Sequence, residues 1–160
     1  MSVVYPYVGL VPEDDVIAVL EAHRKEFSDL LRPLSGEKAG YRYAEGKWSI
    51  REVVGHVTDA ERVFAYRLMT FARGDEHPQP GFDENVFVAN AGFDAVPLGK
   101  LLDAFDAVRA STLHLLRQMP AEGWTRSGVA NGKPVDVRTL AKVMAGHSRH
   151  HTKILRERYL

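Results

Sequence analysis

Residues 48–64 read WSIREVVGHVTDAERVF, and their reading decides the fold class. Ser49 followed three residues later by Glu52 is a capping box, in which each side chain satisfies a backbone N–H that a helix start leaves open. Behind it Ile50, Val53, Val54, Val57, Phe64 and Leu68 recur at three- and four-residue intervals, the period of one helix face. The pattern predicts a helix from Ser49 to about Arg73, stopped at Gly74.

Three further stretches share that period. One covers roughly residues 13–34, with Val16, Leu20, His23, Phe27, Leu30, Leu31 and Leu34 on one face. Another starts at Pro97, whose fixed φ suits a first helical turn, and runs to about Met119 before Pro120. The last runs from about Asp136 to Tyr159. β-branched alternation is short and scattered, so no sheet is expected. Four helices of about 20 residues, each with one apolar stripe, satisfy one another as a four-helix bundle. The expectation is therefore all-α, with residues 1–160 as a single domain. Between the second and third helices lies GDEHPQPGFDENVFVANAGFDAV, residues 74–96, too long for a tight turn. It reads as a crossover of the bundle with a short helix near 83–91.

Composition narrows the function classes. The 160 residues are 45% hydrophobic and 26% charged, with 21 basic residues against 21 acidic, as in ordinary globular domains. No basic run offers the footprint of a nucleic-acid or anionic-membrane binder, so neither partner is expected. No apolar run approaches the length that spans a bilayer, and the first residues lack a signal-peptide pattern; the expected address is cytoplasmic. The chain has no cysteine, so any metal must be held by histidine and carboxylate.

Residues 145–154, AGHSRHHTKI, carry three of the seven histidines. His147 and His151 are one helical turn apart, the spacing at which two imidazoles can serve one metal ion. They fall at the middle of a stripe formed by Leu140, Val143, Met144, Ile154 and Leu155, with His150 to one side. Two readings stand: core histidines bonded to backbone or carboxylate, or two ligands of a metal. His56 is a candidate third ligand, although the helical wheel puts it at the edge of its stripe. Glu61 and Arg109 both fall near stripe centres, where a buried ion pair is the plain explanation. A functional alternative has Arg109 binding an anionic group while Glu61 handles protons. Arg67 is a further cation for an anionic thiol, or a solvated residue. His23 reads as a core histidine, and His77 and His114 as surface residues.

Three motifs in order, YRYAEGKWSIREVVGHVTDAERVFAYR, PGFDENVFVANAGF and AGHSRHHTKILRERY, resemble those of the DinB/YfiT-like family of metal-dependent proteins. The resemblance is clearest from Tyr41 to Tyr159. It implies a four-helix bundle with a long crossover, a homodimer, and a three-histidine metal site composed of His56, His147 and His151. Ser148 stands where family members often have glutamate, which affects what surrounds the ligands rather than the ligands themselves.

Three imidazoles leave coordination positions open, the layout of a catalytic metal. Zinc or nickel is the expected ion, with iron or manganese as alternatives. The leading expectation is a thiol-dependent S-transferase acting on a small-molecule substrate, with a low-molecular-weight thiol as co-substrate. The resemblance also implies a thiol-dependent isomerase among the relatives. The alternatives are a metal-dependent hydrolase of a small amide or ester, and a non-catalytic, stress-related metal-binding dimer.

Overall fold

A computed structural model describes residues 3–160. Its six α-helices are α1 (Val16–Leu31), α2 (Gly36–Ala39), α3 (Ile50–Ala72), α4 (Glu84–Ala91), α5 (Leu98–Arg117) and α6 (Val137–Ile154), the last continuing into a π-helical turn at Leu155–Tyr159. Four of them, α1, α3, α5 and α6, form the bundle. Each of α1 and α3 packs against both α5 and α6, so the order around the bundle is α1, α5, α3, α6. The helix in the crossover is α4, as the sequence predicts.

The helix starts follow from their caps. Asp15, Ser49 and Asp136 each accept a backbone N–H from the first turn of α1, α3 and α6. At Ser49 the reciprocal bond from its own N–H to Glu52 completes the capping box. The Ser49 hydroxyl also donates to Asp94, and Arg42 binds both Glu52 and Asp94. The start of α3 is thereby tied to the end of the crossover.

The expectation of no sheet is corrected. Ser127–Ala130 (β1) pairs antiparallel with Lys133–Asp136 (β2). Asn131 and Gly132 turn between them, both at positive φ, the geometry that an Asn-Gly hairpin loop prefers. Four-residue strands containing Pro134 give too little alternation to stand out. Gln79 of the crossover docks on the hairpin, donating to the Val129 carbonyl at 2.8 Å and accepting from Asn131 N–H at 3.0 Å.

Two apolar clusters fill the bundle. One gathers Leu20, Leu68, Phe71, Leu116, Leu140 and Met144; the other gathers Phe27, Ile50, Val54, Leu102, Phe105 and Leu155. Between them along each helix lies a buried polar layer that contains His23, Glu61, Arg109, His147, Ser148 and Thr152. Buried polar groups are stable only when bonded, and the layer meets that condition. Arg109 and Glu61 are 0% and 1% exposed and form a bidentate pair at 2.7–3.0 Å. Arg109 also donates to the Leu20 carbonyl, His23 Nδ1 and Ser148 Oγ. One guanidinium thus touches all four bundle helices.

Candidate metal centre

The capping box sets the phase of α3, and seven residues after Ser49 it delivers His56 to the interior, 5% exposed. From α6, His147 and His151 arrive one turn apart. The three Nε2 atoms converge: His147 Nε2 lies 3.0 Å from His56 Nε2 and 3.2 Å from His151 Nε2. Among the described residues, these three form the one cluster of possible metal-ligating groups.

The spacing has a simple test. With metal–nitrogen bonds of about 2.0–2.1 Å, neighbouring ligands lie roughly 3.3–3.4 Å apart in a tetrahedron and roughly 2.8–3.0 Å apart at octahedral right angles. The two separations from His147 fall within these limits, and all three atoms lie within 4.8 Å of one another. Hydrogen bonding accounts for less, because one imidazole nitrogen either donates once or accepts once, whereas His147 Nε2 has two nitrogen neighbours. A single cation engages all three lone pairs. The residues present fit a divalent ion.

Electrostatics keep those lone pairs free. Burial, followed by the neighbouring imidazoles, pushes His147 down to about 3 and His151 down to about 2. Burial also lowers His56, although Glu84 and Asp59 oppose the shift. All three are neutral near pH 7, the state a metal requires.

The surroundings are aromatic. Trp48 packs on His56 at 4.7 Å between ring centroids, and Phe64 lies 5.7 Å from His147. Tyr7, from the segment that crosses α6 before α1, lies 5.5 Å from His147 and 5.0 Å from His150. A cleft of about 300 Å³ lies beside the centre, with Tyr7, Phe64, Arg67 and Glu84 in its walls. A second recess, of about 240 Å³, reaches His151 between Trp48 and Asn85. Sequence reading missed Tyr7, Trp48, Phe64 and Glu84 as site neighbours. Only the aromatic run VVYPY and the position of Trp48 ahead of a helix cap hinted at them.

The remaining candidates divide. His150 is half-buried beside His151, at 5.2 Å between centroids, but is not part of the converging set. Glu61 and Arg109 form the buried ion pair, and Ser148 of the ligand helix accepts from Arg109; the guanidinium's N–H groups are taken up inside the bundle, so it does not greet an anionic substrate. His23 is a core histidine. Arg109 donates to its Nδ1, so the proton is on Nε2, which donates to Thr152. His77 and His114 are exposed. Arg67 is not solvated: it is 6% exposed, covered by the crossover.

The chain is 24% identical over 135 residues to a protein of Oceanobacillus iheyensis, covering 82% of this chain and 76% of the other. It is 29% identical over 132 residues to one of Geobacillus kaustophilus, covering 78% and 73%. Both are named, by inference, as metal-dependent hydrolases. The fold matches YfiT from Bacillus subtilis, described as a probable metal-dependent hydrolase with an unusual four-helix bundle topology. The TM-score is 0.78 at 19% identity, covering 89% of this chain and 85% of that one. It also matches the mycothiol-dependent maleylpyruvate isomerase with a TM-score of 0.73 at 15% identity, covering 91% of this chain but 61% of that longer one. Residues 19–155 match the DinB superfamily across most of the chain, and the protein belongs to that family.

Proposed function

We propose that His56, His147 and His151 hold one divalent metal ion, zinc or nickel, and that the protein is a metal-dependent enzyme that activates a small thiol for transfer to an electrophile. The observation that carries this reading is the convergence of three neutral imidazoles, two buried and one half-buried, with His56 and His151 Nε2 lying 3.0 and 3.2 Å from His147 Nε2. A cation bound there supplies Lewis acidity and lowers the pKa of a thiol or water beside it.

The residues around the centre favour a nucleophile that needs no separate base. Ser148, where the family resemblance implies glutamate in many members, accepts from Arg109. Glu61 is committed to Arg109. No carboxylate among the described residues joins the three histidines. A thiol loses its proton on binding a metal, so carboxylates outside the ligand set, such as Glu84 in the cleft wall, matter less to it than to water. Trp48, Phe64 and Tyr7 shield the centre, which strengthens electrostatic interactions inside it. Hydrolysis of a small amide or ester is the second reading, favoured by the names of the curated relatives.

Incubation with a small thiol and monochlorobimane tests the proposal. The thiol sulfur displaces chloride, and a proton leaves with it. Thioether formation faster than in buffer, abolished by chelator and restored by added zinc or nickel, is expected. Metal-loaded protein no faster than buffer would contradict the transferase reading. Chelator-sensitive cleavage of nitrophenyl esters or anilides would then favour the hydrolase.

A further inference from the structure

Arg67 is an unusual side chain for its place. It is 6% exposed, and among the described residues it has no carboxylate partner. Burial lowers its pKa, and no ion pair among the described residues offsets the cost. Among the described residues its one side-chain hydrogen bond is from Nη2 to the Pro80 carbonyl, at 2.6 Å. A guanidinium carries five N–H donors and stays charged, so most of this fork remains open. It lines the 300 Å³ cleft, with its plane near the Phe82 ring at 5.9 Å. Buried cations are ordinarily paired, and a loop carbonyl alone does not call for a guanidinium.

The cleft adjoins the metal centre through shared wall residues. Phe64 and Tyr7 stand in its wall and also pack on His147. Val143 and Leu140 continue it along α6, one and two turns before His147. Seven residues of helix span roughly 10 Å. On α3, Arg67 lies eleven residues beyond His56, a rise of roughly 16 Å, which the arginine's own length shortens; a molecule on the order of 10–16 Å long joins the two ends.

Resting on the reading of the three histidines as a catalytic centre, we infer that Arg67 anchors a carboxylate of the substrate or co-substrate, while the reactive end of that molecule points to the histidines. A carboxylate matches the guanidinium fork in a bidentate pair. The wall charges favour a monoanion: Arg67 and exposed Lys133 face Glu84. A phosphate dianion would meet Glu84 with fewer cations than it needs. Phe64, Phe82 and the two tyrosines, Tyr5 and Tyr7, suit an apolar or aromatic body between the two ends.

Calorimetric titration of the metal-free protein isolates the anchor from any carboxylate–metal bond. The probes are 4-phenylbutyrate, its neutral amide, and phenyl phosphate. The acid is expected to bind about tenfold or more tightly than the amide. Arg67→Gln brings the two close to parity, and Arg67→Lys keeps part of the preference, each with an unchanged far-UV spectrum. The wild-type comparison needs no variant to fold. Equal binding of acid and amide, no binding of the acid at millimolar concentration, or a preference that survives Arg67→Gln would overturn the anchor. Tighter binding of phenyl phosphate would overturn its assignment to a carboxylate. Failure of the histidines to take up metal would leave these results standing and would sink the catalytic reading instead.

Discussion

At Arg109 one side chain joins α1, α3, α5 and α6, so its partners are where single substitutions have the largest effect. Glu61→Ala leaves that guanidinium buried without its counter-charge, and unfolding in urea is expected to show a loss of about 3–5 kcal/mol. Ser148→Glu adds a second carboxylate beside the same cation. It is expected to destabilise alone and to cost less in the Glu61→Ala background, a favourable coupling that a double-mutant cycle measures. The pair itself was legible in the sequence, because Glu61 and Arg109 fall at the centres of apolar stripes where an unpaired charge is not tolerated. Arg67 was not. Its place on the helical wheel says nothing of the long crossover that folds over it, and Pro80 lies 13 residues further along the chain.

Among the elements, α3 depends on its cap. Ser49 is fully buried, accepts from Glu52 N–H and donates to Asp94. Ser49→Ala is expected to lower stability by about 1–2 kcal/mol in thermal or urea unfolding. The segment before α1 depends on Gly146. A Cβ there would lie 2.2 Å from the Tyr7 carbonyl oxygen, and backbone cannot yield as a flexible side chain does. Gly146→Ala is therefore expected to lift the Tyr7 segment from α6, cost about 1–3 kcal/mol, and raise hydrogen exchange at residues 5–11. The cap at Ser49, the helix starts near Asp136 and at Pro97 and the crossover helix were legible because such signals are local. The hairpin escaped notice because its strands are four residues long and are stabilised by docking on Gln79, a tertiary fact.

For the whole molecule, the polar layer between two apolar clusters makes stability depend on pH. His23 and His147 are held down to about 3 and His151 to about 2, each mainly by burial. The unfolded chain protonates these groups near 6.5, so between that value and about 3 it binds more protons than the folded one. Their contribution is fully present above pH 6.5 and is lost as the pH falls through that window. The urea midpoint of metal-free protein is expected to be lower at pH 5.5 than at pH 7.5; a flat midpoint would contradict burial of neutral imidazoles. Two of the three converging histidines were legible from spacing alone. The third, His56, was fixed only by resemblance, because a stripe-edge position on α3 faces α6 only once the helices are packed. The account rests on the cation those three share. Elemental analysis of untagged protein, titrated with zinc or nickel and then desalted, tests it most directly. The expected result is about one ion per chain, lost on chelation and largely absent from His147→Ala and His151→Ala with their helicity intact. No uptake on titration, or full stoichiometry retained in both variants, would contradict it.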